Sequence, residues 1–167
     1  MDSDILNNCK IEVKEPKNCT VREISSFYEE VKKGGKVMLH GLTDRIKNCE
    51  LLAFCYYKNS LIGVSSIKRP NPNYVADIIK KTEIDRKVED LTFEIGYSHT
   101  EHDYRRNGIS KELKSKLLEQ MKSRSGTIFS TTAIKSSQNF LEENGFKKIG
   151  KSYDGENDKG ITYYERI

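Results

Sequence analysis

The residues with the clearest chemical potential form a basic, glycine-containing turn, Arg105-Arg-Asn-Gly-Ile-Ser110. Residues 91–99 before it favour a strand, and apolar residues at helical spacing follow it at once. A helix that begins here leaves its first backbone N–H groups without helical partners, at the positive end of the helix dipole. Gly108 allows an anion to approach the backbone closely, and Arg105 and Arg106 can add charge-assisted hydrogen bonds. The turn therefore predicts a phosphate or pyrophosphate site.

The basic residues of this segment have a second interpretation. Lysines continue along the helix that follows the turn, and charge runs of this kind usually form a solvated helix face. That interpretation explains the charges alone. It does not explain why they lie between the end of a strand and the start of a helix, with a glycine among them, and anion binding is therefore the preferred hypothesis.

Two motifs resemble those of the GNAT N-acetyltransferase superfamily. Its acyl-CoA signature reads Arg or Gln, two variable residues, Gly, one variable residue, and then Gly or Ala. Arg105 and Gly108 match this signature. Ser110, a small residue, stands where the signature has Gly or Ala. Residues 137–146, a predicted helix that ends in Gly-Phe, resemble the second hallmark of the superfamily. The chain is thus identified as a member of it.

The resemblance implies an α/β fold with a mixed central sheet of about six to seven strands flanked by helices. It also implies one acyltransferase domain over residues 1–167, acetyl-CoA as cosubstrate and no metal. The strand before the turn would hydrogen-bond the pantetheine arm and the turn would cradle the pyrophosphate. The cofactor-binding residues implied in this way are Ser98, His99, Thr100, Arg105, Arg106, Asn107, Gly108, Ile109 and Ser110.

For catalysis, the resemblance implies a general base, and Glu94 is the candidate. It precedes Arg105 by eleven positions, an offset at which some lysine-modifying members carry their basic glutamate. A structural carboxylate paired with a nearby lysine is the alternative role. Many members carry a tyrosine as general acid where this chain has Leu141, so the leaving thiolate would take its proton from solvent or from a residue such as Tyr97.

Hydrophobic spacing and turn residues predict the elements that position these groups. Thr20 and Glu23 form a capping box that opens an amphipathic helix. Strands are predicted at 10–14, 51–57, 61–67, 91–99 and 127–133, with a closing hairpin of 146–151 and 161–166. Further helices are predicted around 43–48, within 74–87, from 109 onward, and at 136–144, where Gly145 provides a left-handed cap.

Composition excludes several classes of protein. The 29 basic and 25 acidic residues give a net charge of +4, too mild and too dispersed to indicate a nucleic-acid binder. The four cysteines lack metal-ligand spacing, no signal peptide is recognisable, and no apolar stretch approaches the ~20 residues that span a bilayer. We therefore expect a cytoplasmic protein with reduced thiols and no membrane partner.

The sequence leaves the acceptor open. It is an amine of a small molecule or protein, or of an amino acid carried on tRNA, and the variable segments 21–48 and 71–90 are expected to hold it. The alternative function is a catalytically degenerate GNAT domain that binds CoA or a partner protein. A homodimer also remains open, because dimers are common in the superfamily.

Overall fold

The computed structural model describes residues 3–167. Its seven strands are β1 Cys9–Lys14, β2 Leu51–Tyr57, β3 Ser60–Lys68, β4 Phe93–Thr100, β5 Ile128–Thr132, β6 Lys147–Lys148 and β7 Thr162–Arg166. Its helices are α1 Ser3–Asn7, α2 Val21–Lys33, α3 Leu42–Lys47, α4 Pro72–Thr82, α5 Ile109–Met121 and α6 Lys135–Glu143. Short 3-10 turns lie at Pro16–Asn18, Val88–Asp90 and His102–Tyr104.

The strands form one mixed sheet in the order β1-β2-β3-β4-β5-β7-β6. β1, β2 and β3 pair antiparallel, β4 and β5 pair parallel, and β7 pairs antiparallel with both β5 and β6. The predicted α/β class and the predicted strand number are confirmed. The ladder between β4 and β5 has two positions, Phe93 with Ile128 and Glu94 with Phe129.

The chain divides into two compact units, each with its own apolar core. The first unit runs to Lys68 and resumes at Ile95–Arg124; the second consists of Arg69–Glu94 and Ser125–Ile167. The core of the first unit includes Phe27, Leu42, Ile46, Leu52, Phe54 and Val64. The core of the second unit includes Val75, Ile78, Ile84, Leu91, Phe129 and Tyr163. Strand β4 contributes residues to both units.

Local sequence signals explain where the main helices begin and end. The predicted capping box of α2 is present, since Glu23 N–H donates to Thr20 Oγ1 at 3.1 Å and Thr20 N–H donates to Glu23 Oε1 at 2.9 Å. In the second unit, α6 is closed by Gly145 at φ +82°, and Phe146 N–H donates to Leu141 C=O at 3.0 Å. The capping predictions at both positions are confirmed.

Helix α4 is shorter than the segment in which it was predicted. Asn71 caps it and Pro72 occupies its first turn, as the sequence favours. It ends at Thr82 because Glu83 adopts the left-handed conformation at φ +56°. Residues 83–87 are therefore not helical. In the part of the chain that the structure describes, no helix is long and apolar enough to cross a membrane.

Substitution of Glu23 by Gln tests the charge of the carboxylate in the capping box, because Gln can keep the box itself. We expect Glu23→Gln to lower the free energy of unfolding by about 1 kcal/mol at neutral pH, since it removes both the favourable charge at the helix N-terminus and the ion pair with Lys14. The Lys14 ammonium and the Thr20 N–H hold the pKa of the Glu23 carboxyl below 4.5, its ordinary value. The ionised carboxylate thus contributes stability above pH 4.5 that disappears as the pH falls through the lowered pKa.

Chemical denaturation of the wild type, Glu23→Gln and Thr20→Ser between pH 3 and 7 measures this effect. Thr20→Ser keeps the capping hydroxyl and should match the wild type within about 0.5 kcal/mol. A difference between wild type and Glu23→Gln that did not shrink toward pH 3 would contradict the assignment.

Candidate active site

The predicted anion-binding turn forms as expected between β4 and α5. Gly108 is the N-cap of α5, in the left-handed conformation at φ +77°, and no side chain caps the helix there. The first helical hydrogen bond runs from Glu112 N–H to Gly108 C=O at 3.0 Å. The N–H groups of Ile109 and Ser110 therefore lie outside the helical ladder, at the positive end of the helix dipole.

Side chains within the turn hold its shape. Asn107 Nδ2 donates to Tyr104 C=O at 3.0 Å and to Arg105 C=O at 3.2 Å. Arg105 Nε donates to Thr100 C=O at 3.1 Å, which joins the turn to the end of β4. Arg106 is exposed and takes the left-handed conformation at φ +65°. Arg105 therefore has a structural bond through Nε, and its terminal amino groups are the part that can approach an anion.

The predicted pantetheine-binding residues lie at the end of β4, in the first unit. Ser98 Oγ lies 2.7 Å from Ser65 Oγ. The carbonyl of Thr100 accepts the hydrogen bond from Arg105. The side chain of His99, for which the sequence left a surface position open, is 9 % exposed, and its Nδ1 lies 3.2 Å from Glu30 Oε2. The His99 side chain thus contacts α2. Only the backbone of His99 remains for the predicted role, which is to bind the pantetheine arm.

A charged network surrounds this histidine. Lys33 Nζ lies 2.9 Å from Glu30 Oε1 and also pairs with Glu101. Burial raises the pKa of the Glu30 carboxyl, whereas the hydrogen bond from Lys33 lowers the pKa of Glu101. The two carboxylates raise the pKa of Lys33 above its ordinary range, so it stays protonated. The network fixes the end of α2 to the end of β4.

Tyr97, which the sequence suggested as a possible proton donor to the leaving thiolate, has an unusual backbone conformation. Its φ is +52°, within a strand, although left-handed conformations are strained for bulky residues. The side chain is 9 % exposed and belongs to the core of the first unit. Lys68 Nζ lies 4.4 Å from the centre of its ring, and Arg45 Nε donates to its hydroxyl at 3.2 Å. Core packing, the Lys68 ammonium and Arg45 together hold this conformation.

The candidate base Glu94 lies in the second unit, where it is 3 % exposed. Its Oε2 accepts a hydrogen bond from Tyr74 Oη at 2.7 Å. Tyr74, on α4, is 40 % exposed as a residue, but its hydroxyl reaches the buried carboxylate. Burial of that hydroxyl, together with the Glu94 charge, raises the pKa of Tyr74 well above its usual range. The sequence suggested that 71–90 lines the acceptor site, but nothing in it indicated this tyrosine–glutamate pair.

Other tyrosines near the C-terminus divide into two groups. Tyr163 and Tyr164 are buried, and the Tyr163 hydroxyl donates to Glu165 Oε2 at 2.8 Å, so packing accounts for both. Burial raises the pKa of Tyr153, and the Glu94 charge contributes in the same direction. Lys81 Nζ lies 5.6 Å from the centre of the Tyr153 ring. Tyr153 is thus part of the surroundings of Glu94.

A cavity of about 600 Å³ lies in the first unit. Its walls are formed by the 3-10 turn at Pro16–Asn18, the first half of α2 and part of α3, and include Val21, Tyr28 and Lys47. None of the predicted catalytic or cofactor-binding residues lines it. Seven of its lining residues, however, lie in segment 21–48, which the sequence suggested as part of the acceptor site: Val21, Ile24, Ser25, Tyr28, Glu29, Thr43 and Lys47. The turn at Gly108 and the Glu94 pair remain the candidates for CoA binding and for the base.

Two expectations about other groups can be compared with the structure. Among residues 3–167, no group of three or more His, Cys, Asp and Glu side chains is placed to hold a metal ion. The four cysteines have free thiols. Leu141, which stands at the position of the superfamily's tyrosine, is buried and contributes packing.

Comparison with known proteins identifies the family. The sequence model described as "Acetyltransferase (GNAT) family" matches residues 20–146, and the chain belongs to this family. No curated protein sequence matches the chain.

Solved structures show the same fold at low sequence identity. Escherichia coli ElaA is 14 % identical, with 95 % of this chain and 99 % of that chain covered and a TM-score of 0.67. An acyl-CoA N-acyltransferase from Pseudomonas aeruginosa is 10 % identical, with 95 % and 99 % covered and a TM-score of 0.67. A ribosomal-protein-alanine N-acetyltransferase from Brucella melitensis is 12 % identical, with 93 % and 99 % covered and a TM-score of 0.66.

The network around His99 generates a stability prediction. Glu30→Gln removes the negative charge that lies between Lys33 and His99, and we expect the free energy of unfolding to fall by about 1–2 kcal/mol. Glu29→Gln, an exposed neighbour on the same helix, is the matched control and should change it by less than about 0.5 kcal/mol. Thermal or urea unfolding measures both variants. Equal stabilities of the two variants would show that the network is not needed for the fold.

Proposed function

We propose that this protein is an acetyl-CoA-dependent N-acetyltransferase that transfers an acetyl group to an amine. The observation that carries the proposal is the uncapped start of α5 at Gly108, directly after β4, within a chain of the GNAT family. Glu94, a carboxylate that accepts a hydrogen bond from Tyr74, is the proposed general base. We further propose that residues 1–167 act as one acyltransferase domain.

The turn fits a diphosphate on its own geometry. The glycine backbone is in a conformation that side chains rarely adopt, and a Cβ there would contact Leu6 Cδ2 at 3.6 Å. The N–H groups of Ile109 and Ser110 are outside the helical ladder, and the exposed Arg106 adds positive charge. An anion is what such an arrangement stabilises best.

In the proposed complex, residues 105–110 hold the diphosphate and the backbone of residues 98–100 holds the pantetheine arm. Acetyl-CoA supplies an acetyl group activated as a thioester. A backbone N–H of the same strand would polarise the thioester carbonyl, as in an oxyanion hole. Ser66 Oγ donates to Gly96 C=O at 2.8 Å and Arg105 Nε donates to Thr100 C=O, and these contacts make the strand rigid.

Glu94 is proposed as the general base, directly or through a water that it orients. The neutral amine nitrogen attacks the carbonyl carbon, the C–N bond forms, the C–S bond breaks, and the amine proton passes to the carboxylate. Tyr74 would orient the carboxylate through its 2.7 Å hydrogen bond and form part of the acceptor wall. The acceptor is proposed to be an amine of a small molecule or a protein, and the cytoplasm to be the site of the reaction.

Calorimetry with CoA tests the anion site. We expect the wild type to bind CoA and Gly108→Ala to bind it at least about tenfold more weakly, since the added Cβ both strains the backbone and blocks close approach. Gly160→Ala is the matched control: Gly160 has a similar φ of +70°, nothing lies within 4 Å of an added Cβ, and it belongs to a turn of the second unit. Absence of CoA binding by the wild type would overturn the proposal.

Release of free thiol from acetyl-CoA with a panel of amines tests the base. We expect Glu94→Gln to lower kcat by about 10²-fold or more, the usual contribution of a general base, without weakening CoA binding. Tyr74→Phe should cause a smaller loss, since it removes the orienting hydroxyl only. If the wild type binds CoA but no amine releases thiol, the protein is a CoA-binding module without catalytic activity.

A further inference from the structure

Arg45, on α3, connects a glycine-bounded loop to strand β4. The loop, residues 34–41, joins α2 to α3 in the first unit. We propose that Arg45 is a positioning residue: through the Tyr97 hydroxyl it couples this loop to the part of β4 that would hold the pantetheine arm. This inference rests on the proposed function. It adds that the conformation of the loop and the affinity for CoA depend on each other.

One guanidinium group makes all the contacts. Nη1 donates to His40 C=O at 2.7 Å, Nη2 donates to Met38 C=O, and Nε donates to Tyr97 Oη at 3.2 Å. Two acceptors are loop carbonyls and the third is a strand side chain. The planar fork of arginine presents these donors at fixed angles, whereas the ammonium of lysine is a single point on a flexible stem. The geometry therefore requires arginine and not only a positive charge.

The contact at Tyr97 reaches the candidate cofactor strand directly. Tyr97 has its backbone at φ +52° inside β4, and Ser98, His99 and Thr100 follow it at once. A strand residue in the left-handed region changes the direction in which the next peptide groups point. The side-chain contacts that hold Tyr97 in place consequently also fix the backbone of the three following residues.

The loop itself is built to receive the guanidinium. Gly35 and Gly41 have φ values of +68° and +72°, and a Cβ added to Gly41 would lie 3.4 Å from Arg45 Nη1. Val37 packs against the core of the first unit, but Met38 and Leu39 are exposed at 74 % and 43 %. Because only one of its large apolar side chains is partly buried, the loop depends on its attachments for a fixed conformation.

The other end of the loop is attached to the same strand. Glu30 contacts His99, and Lys33 pairs with Glu101 just after β4. Tyr97 contacts Arg45 of α3, and His99 contacts Glu30 of α2. Both ends of the loop are thus anchored on β4. A ligand that favours one conformation of the strand therefore also favours one conformation of the loop, because such coupling is reciprocal.

A double-mutant cycle on CoA affinity tests the coupling. We expect Arg45→Lys and Tyr97→Phe each to weaken CoA binding about tenfold, within the usual range of coupling energies, and the double variant to be no weaker than either. Tyr97→Phe retains the ring and loses only the acceptor oxygen. Arg22→Lys, an exposed arginine on α2, is the matched control and should bind CoA as the wild type does.

Limited trypsin digestion gives a second readout that a merely structural role would not change. Saturating CoA should slow cleavage after Lys36 in the wild type. In Arg45→Lys, CoA should leave the rate of this cleavage unchanged. Cleavage after the exposed Lys159, in a turn of the second unit, should not respond to CoA in either protein. Circular dichroism melting establishes that each variant is folded.

Two outcomes overturn the inference while the proposed function stands: wild-type CoA affinity in both single variants, or losses that multiply in the double variant. If Arg45→Lys does not fold, Tyr97→Phe alone decides. The inference is then overturned if Tyr97→Phe binds CoA with wild-type affinity and if CoA still protects it fully from trypsin cleavage after Lys36. Absence of CoA binding by the wild type is a different result, which rejects the proposed function itself.

Discussion

The contact between the first turn of α5 and strand β3 is the constraint on which the candidate anion site depends. A Cβ on Gly63 would lie 2.9 Å from Ile109 Cγ2 and 3.4 Å from Leu113 Cδ1, so β3 needs glycine at this point. Ile109 is buried there as the first residue of α5. Since this packing determines where the helix begins, it also determines where its first N–H groups point. The geometry of the candidate anion site is therefore a consequence of core packing in the first unit.

Strand β4 carries both halves of the proposed chemistry, although its two parts have different surroundings. Glu94 pairs with Phe129 of β5 and takes its hydrogen bond from Tyr74, all within the second unit. The stretch from Ile95 onward belongs to the first unit, where Ser66, Arg105 and Glu30 contact it. The two parts of β4 therefore have different partners, each within its own unit.

Sequence patterns predicted the elements of this fold better than the contacts between them. The strand at 51–57, the capping box at Thr20 and the glycine turn before α5 follow from local spacing, and the structure has them there. The contacts of Tyr74 with Glu94, Arg45 with Tyr97 and His99 with Glu30 join residues 20, 52 and 69 positions apart. No local pattern encodes such pairs. Local spacing also does not show how exposed a residue is: Val21 is apolar and lies three positions before the buried Ile24, but it is 88 % exposed because it occupies the first helical position, at the edge of a cavity.

The same contacts bear on how the leaving thiolate of the proposed reaction gains its proton. Leu141 is buried and apolar, so the superfamily's usual position offers no acid here. The Tyr97 hydroxyl accepts from Arg45, and its ring is enclosed in the core of the first unit, which argues against its movement toward a reacting sulfur. A thiolate, however, is a weak base; the thiol of cysteine, for comparison, has a pKa of about 8.5. It can leave without an acid and be protonated by water, so loss of the tyrosine is compatible with acetyl transfer.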